Sequence, residues 1–210
     1  MIRVLIADDH PIVRQGLRQI LAGTTDMEVA GEAVNGQEAL EQVRRESWDV
    51  LVLDITMPGR SGFDILKELK YEQPHLPVLV LSIHAEEQLA VRVLKAGASG
   101  YVTKENAPNE LVSAIRKVVN GGRYISPQVA EILAFGLNDN SQRPRHETLS
   151  DREFQVMQLM AQGKTLIEIA EDLSLSAKTV STYRTRLMEK LDVKTNAELM
   201  RYALDLGLVE

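Results

Sequence analysis

Between residues 1 and 125 the sequence switches repeatedly between two hydrophobic periods. Residues 2–7, 50–53 and 78–81 are short apolar runs rich in Val, Ile and Leu. Such a run suits a strand buried on both faces, where neither side tolerates a polar side chain. Residues 27–33 and 100–103 are further candidate strands. Between these segments apolar residues recur at helical spacing: Ile12, Leu17, Ile20 and Leu21; Ala39, Leu40 and Val43; Ile65, Leu66 and Leu69; Leu89, Val93 and Leu94; then Leu111, Ala114, Ile115, Val118 and Val119. Five strand–helix repeats leave little choice of architecture. The strands must run parallel in one sheet, with crossover helices on both faces.

The pattern changes after residue 125. Ser126-Pro127 opens a helix expected to reach about Leu137. Residues 138–147 are polar and aperiodic, the signature of a linker. No strand-like run follows. Instead Ser150-x-x-Glu153, Thr165-x-x-Glu168 and Thr195-x-x-Glu198 mark three helix starts, each with a hydroxyl and a carboxylate to satisfy N–H groups that have no partner inside the helix. Ser176 marks a fourth. The expected division is therefore 1–122, an α/β domain; 123–147, a linker with a short helix; and 148–210, a small all-α domain of four helices.

Composition narrows the function. The chain has 210 residues, 44% apolar and 26% charged, as globular proteins do. It has no cysteine, so thiol chemistry and thiolate metal sites are excluded. His10, His75, His84 and His146 are too scattered for a paired zinc site. No apolar run approaches the ~20 residues of a membrane span, and the N-terminal run is too short for a secretory core; a cytoplasmic location is expected. Net charge is −6, yet residues 176–194 carry five Lys/Arg against two Asp/Glu. A local basic helix in an acidic protein suits DNA better than the total suggests.

Five residues of suitable chemistry fall at strand ends. Asp8 and Asp9 follow the first run and Asp54 the run 50–53. Ser82 ends the run 78–81, and Lys104 lies just past residue 103. In open parallel sheets, ligands bind at the carboxyl ends of strands near the switch in strand order. Three carboxylates gathered there need a cation, and hard oxygen donors favour Mg²⁺. With a lysine and a hydroxyl beside one aspartate, they make a phosphoryl-transfer site that works by positioning and electrostatics.

These residues, with Asp54-x-x-Met57-Pro58-Gly59-x-x-Gly62 and Gly97-Ala98-x-Gly100-Tyr101-x-x-Lys104, resemble a response-regulator receiver domain over residues 1 to about 122. The resemblance implies a flavodoxin-like sheet of order 2-1-3-4-5. It implies that Asp54 accepts a phosphoryl group from a histidine kinase or a small-molecule donor. Asp9 and Asp54 would ligate Mg²⁺, with Asp8 helping and Thr56 giving its backbone carbonyl. Ser82 and Lys104 would hold the phosphoryl oxygens, and Tyr101 would swing inward as Ser82 moves. Ser82 stands where threonine is commoner. Glu105 follows Lys104 where many receivers have proline, and His84 lies close enough to influence hydrolysis.

Residues 165–173 place Ile167, Ile169, Ala170 and Leu173 on an expected core side. After a short turn, residues 176–191 bury Val180, Leu187 and Leu191, with Tyr183 and Met188 beside them. Lys178, Thr179, Ser181, Thr182, Thr185 and Arg186 cover the remaining surface. Two helices joined by a short turn, the second basic and hydroxyl-rich, match a helix-turn-helix whose second helix would enter the major groove; taken alone, the same residues equally suit an amphipathic helix with a solvated charged face. The flanking Leu149-Ser150-x-Arg152-Glu153, Glu168-Ile169-Ala170-x-x-Leu173, Lys178-Thr179-Val180 and Lys190-Leu191 resemble the LuxR-type module. Joined to the receiver, the whole is similar to a NarL/FixJ-family response regulator. Ile167 stands where that family often has Lys, and Tyr183 where His is common. Leu199, Met200, Ala203, Leu204 and Leu206 lie on a last helix, part of which the resemblance assigns to a homodimer contact.

The expectation is a non-enzymatic regulator with three partners: a sensor histidine kinase, double-stranded DNA and a second copy of itself. An aspartate-nucleophile phosphohydrolase is the enzymatic rival, but it needs a second acid two residues after the nucleophile, where this chain has Thr56. The remaining rival is a DNA-binding protein with a ligand-gated, unphosphorylated receiver.

Overall fold

The computed structural model describes all residues except 58, 59, 61, 83–86, 128, 131–144, 174, 207, 209 and 210, and leaves aside the side chains of residues 87, 88 and 147. Pro58, Gly59 and His84 therefore lie outside the described residues. The chain forms two compact units, Met1–Glu131 and Ile132–Glu210.

In the first unit, strands and helices alternate: β1 (Ile2–Ala7), α1 (Pro11–Ala22), β2 (Met27–Ala33), α2 (Gly36–Arg45), β3 (Val50–Asp54), α3 (Gly62–Glu72), β4 (Val78–Ser82), α4 (Glu87–Lys95), β5 (Gly100–Thr103) and α5 (Ala107–Val119). All five strands are parallel, in the order 2-1-3-4-5. Every residue of β3 and β4 is buried, which is why those segments are unbroken apolar runs. Alternation along each strand sends Val4, Ile6, Val50, Val52, Leu79 and Leu81 toward α1 and α5, where Leu17, Leu21, Leu111 and Ile115 complete one core.

Ile12 is 80% exposed rather than on the core side. At 100° per residue it lies about 180° around α1 from Leu21, so both cannot face the sheet. Beyond α5 the chain does not leave the sheet at residue 122. Tyr124 forms a parallel bridge with Gly100, its N–H donating to the Ser99 carbonyl and its carbonyl accepting from the Tyr101 N–H. Residues 123–131 thus belong to the first unit. Of the helix expected from Ser126-Pro127 to Leu137, Ser126, Pro127, Val129 and Ala130 lie within the described residues; the last three are helical, and the Ser126 hydroxyl accepts from the Val129 N–H.

The second unit has a 3-10 turn (Arg145–Thr148) followed by α6 (Asp151–Ala161), α7 (Leu166–Asp172), α8 (Ala177–Leu191) and α9 (Asn196–Asp205). Phe154, Met157, Ile169, Val180, Leu187, Leu191, Leu199 and Ala203 are buried. The capping boxes at Ser150 and Thr165 are complete. At Thr195 only half forms: the hydroxyl accepts from the Glu198 N–H, while the Glu198 carboxylate takes the Lys194 N–H instead. Ile167, placed on the core side by its spacing, is 66% exposed; it lies about 160° around α7 from the buried Ile169. The α8 C-terminus is closed by Asp192 in the left-handed region (φ 59°) and by Arg145, which donates to the Leu191 carbonyl.

Candidate functional site

Strand register brings the polar strand-end residues together. Ala7 pairs with Leu53, Asp54 with Leu81, and Ser82 with Thr103, so Asp8, Asp54, Ser82 and Lys104 stand at the same rim on neighbouring strands. The switch in strand order lies between β1 and β3, which carry the aspartates. Asp8, Asp54 and Ser82 are buried.

Lys104 binds two carboxylates at once. Its Nζ is 2.7 Å from Asp54 Oδ2 and 2.8 Å from Asp8 Oδ2. Burial works against the Lys104 ammonium, but Asp54 and Asp8 outweigh it and hold the pKa above the ordinary lysine value. The other Asp54 oxygen, Oδ1, accepts from the Thr56 N–H at 2.8 Å and the Thr56 hydroxyl at 2.6 Å. Thr56 was expected to act through its carbonyl; what the geometry adds is this pair of donors. The Ser82 carbonyl accepts from the Lys104 N–H at 2.7 Å, tying the two strand ends together. Tyr101 is half-buried beside a cleft of about 350 Å³ that it shares with Thr103, Tyr124 and Val129.

Two contributors were missed from sequence. His10 Nδ1 lies 3.2 Å from Asp8 Oδ1 and 3.0 Å from Asp9 Oδ1, and its backbone N–H donates to Asp8 at 2.8 Å. Arg14 donates to the Asp8 carbonyl at 2.8 Å and to Glu32 at 3.0 Å, pinning the start of the acidic loop. Position alone signalled both residues: they follow the Asp pair by one and five places. Asp8, Asp9, His10 and Asp54 each offer a ligand atom, all within 4.8 Å of one another. Three carboxylates against one ammonium leave a net negative, oxygen-rich pocket, the donor set of a hard divalent cation.

The second unit presents a different surface. Val180, Leu187 and Leu191 bury one side of α8. Lys178, Ser181, Thr182 and Thr185 fall at i, i+3, i+4 and i+7 on the opposite side, all exposed, and Arg186 is exposed beside them. Thr179 is partly covered at the helix start, where it meets the Ser176 cap. Two of the five basic residues are engaged internally. Arg184 donates to Asn196, and Lys190 pairs with buried Glu153 at 2.6 Å. Among the described residues Lys178 and Arg186 have no ion-pair partner. On α9, Leu199 and Ala203 face inward while Met200, Leu204 and the following Leu206 are exposed. No helix among the described residues is long and apolar enough to cross a membrane.

Residues 4–116 match the family model for the response regulator receiver domain, and residues 147–203 match that for bacterial regulatory proteins of the luxR family. The response regulator UvrY of Escherichia coli is 38% identical over 99% of this chain and 96% of its own. The response regulator GacA of Pseudomonas protegens is 40% identical over 100% of this chain and 99% of its own. Among solved structures, RcsB of Salmonella enterica serovar Typhimurium, bound to promoter rprA in the presence of phosphomimetic BeF3−, is 31% identical. It covers 96% of this chain and 98% of that one, with a TM-score of 0.66.

Proposed function

Because the chain belongs to the response regulators that join a receiver domain to a luxR-family helical domain, we propose that phosphorylation of Asp54 controls how residues 148–210 bind DNA. The observation that carries this reading is the Lys104 ammonium seated between two fully buried carboxylates, Asp54 and Asp8. That arrangement is unfavourable to build for stability alone, because desolvating the charges offsets much of their attraction. It suits a site whose cation is to be handed to an incoming anion.

An Asp54 carboxylate oxygen attacks the phosphorus of a phosphohistidine or acyl phosphate. The bond from phosphorus to the donor breaks, the donor keeps that electron pair, and Asp54 becomes an acyl phosphate. Lys104 then exchanges its carboxylate partner for a phosphoryl oxygen, and the Ser82 hydroxyl at the neighbouring strand end donates to another. Mg²⁺, held by Asp9 and Asp54 with Asp8 and the Thr56 carbonyl, would supply neutralising charge for the transferring oxygens. The new group carries about two negative charges and three acceptor oxygens. Ser82 and Lys104 are drawn to it, and Tyr101 follows on β5.

The DNA-binding surface is the exposed side of α8, with Lys178, Thr179, Ser181, Thr182, Thr185 and Arg186. The major groove admits such a helix. Exposed Met200 and Leu204 on α9 support a homodimer contact. RcsB, a structural relative bound to a promoter, supports double-stranded DNA as partner. A sensor histidine kinase is the phosphodonor, the setting is the cytoplasm, and the chain acts as a regulator rather than as an enzyme with turnover.

The test is Asp54→Asn, with Mg²⁺ and acetyl phosphate. Wild type should gain about 80 Da, one phosphoryl group, and bind DNA more tightly; the variant should do neither. Equal responses from both proteins would remove Asp54 as the switch.

A further inference from the structure

Resting on the DNA-binding reading above, the hydrogen bonds of α8 specify what its hydroxyl side chains can say to a base pair. The Thr182 hydroxyl donates to the Lys178 carbonyl at 3.0 Å, and the Thr185 hydroxyl donates to the Ser181 carbonyl at 3.1 Å. Both are bonds to the residue four places back in the same helix. The Thr179 hydroxyl is likewise engaged, 2.7 Å from the Ser176 cap. Among the described residues, Ser181 alone of the four hydroxyls on this surface has no partner within the chain.

A hydroxyl carries one proton. With that proton turned into the helix, Thr182 and Thr185 have no donor to present outward. Guanine offers only acceptors, N7 and O6, to the major groove. Neither threonine can therefore read guanine by donation while these bonds stand. What each presents is a methyl group and an oxygen that can accept. A T·A pair offers the complement: the thymine C5 methyl for apolar contact and the adenine N6 amino group as a donor. The residues stand three apart on one exposed face, opposite the buried stripe of Val180, Leu187 and Leu191, and so would meet neighbouring base pairs.

We infer that Thr182 and Thr185 are specificity-determining residues that select thymine through their methyl groups. The hydroxyls serve the helix. Lys178 and Arg186, on the same exposed side, then supply contact to phosphate, which positions without specifying.

The experiment uses the full-length protein. Bound duplexes are selected from a random pool, and the preferred site is then resynthesised with uracil in place of thymine at one position at a time. Uracil differs from thymine by the methyl alone. Loss of one buried methyl should weaken wild-type binding about fourfold at the positions Thr182 and Thr185 contact. Thr182→Val and Thr185→Val keep the methyl and should keep both the preference and the sensitivity to uracil. Thr182→Ser and Thr185→Ser keep the hydroxyl and should lose both. If serine preserves the preference and valine relaxes it, the hydroxyl is the reader and the inference is overturned. Indifference to uracil at every position overturns it too, with no variant required. If wild type enriches no duplex at all, the DNA-binding reading fails first.

Discussion

Replacing Lys104 with methionine keeps the aliphatic stem and removes the ammonium. Asp54 and Asp8 are both fully buried, and the ammonium sits 2.7 and 2.8 Å from their Oδ2 atoms. Removing one partner of a buried ion pair costs about 3–5 kcal/mol, because the remaining charge is left without compensation. The lower end applies here: Asp9 is partly exposed at the same rim, its side chain 28% accessible, and water can reach the cluster. About 3 kcal/mol in a unit of this size lowers the melting temperature by roughly 10 °C. Thermal and urea unfolding of wild type and Lys104→Met, at neutral pH and in EDTA, measure it. Adding Mg²⁺ should shrink the difference to about 1 kcal/mol or less, since a divalent ion supplies the missing positive charge. The pH dependence has a fixed sign. The Lys104 pKa is raised in the folded state, so its contribution is complete below the ordinary lysine value near 10.4 and is lost as pH rises through the higher folded value. The two proteins should therefore converge only under strongly alkaline conditions. A difference below about 0.5 kcal/mol in EDTA, or one that Mg²⁺ leaves unchanged, would refute the assignment of Lys104 as counterion to the acidic cluster.

Glu153→Gln tests the second unit. Burial pushes the Glu153 carboxyl up, but Lys190 at 2.6 Å and the Ser150 N–H hold it below the usual range. Wild type should thus lose stability as pH falls below about 4.3, the unfolded value, and through the lower folded one; the variant should start about 2 kcal/mol lower and lack that acid-dependent loss in urea titrations across pH. Gly100→Ala tests the close approach on β5. A Cβ there would lie 2.8 Å from Leu79 Cδ1 and 2.9 Å from both Tyr124 Cβ and its carbonyl oxygen. The cost should be about 1–3 kcal/mol, and amide exchange should quicken at Tyr101 and Tyr124, whose N–H groups are paired at this point.

The sheet was legible because burial on both faces erases alternation. The runs 50–53 and 78–81 have no other reading in a chain with four helical segments between its strands and a fifth after the last. The acidic rim was legible for the same reason: a residue that ends a buried run must lie at the sheet's edge, and Asp54 and Ser82 prove to be the last residues of β3 and β4. Facing within a first helical turn was less so. Ile12 and Ile167 satisfy an apolar pattern by type, yet their rotation about the axis points them outward. For His10 and Arg14 position just after the Asp pair was the one signal, and it did not suffice, because nothing in a sequence tells whether a polar side chain after a strand folds back onto the strand end or leaves for solvent. Half of the Thr195 capping box was lost to a competing donor: Lys194 N–H lies one residue earlier and takes the Glu198 carboxylate. The backbone groups that Tyr124 would meet had no side-chain signature at all.

That bridge bears on how the two halves of the protein can be separated. A five-stranded open sheet has raw margins, and a margin with unsatisfied amides invites pairing with a neighbouring molecule. Here the chain bandages its own β5 margin with Tyr124 before running on. A fragment cut at residue 122 would strip the Ser99 carbonyl and the Tyr101 amide of their mates and bare them to self-association. One ending at residue 131 keeps the bandage in place.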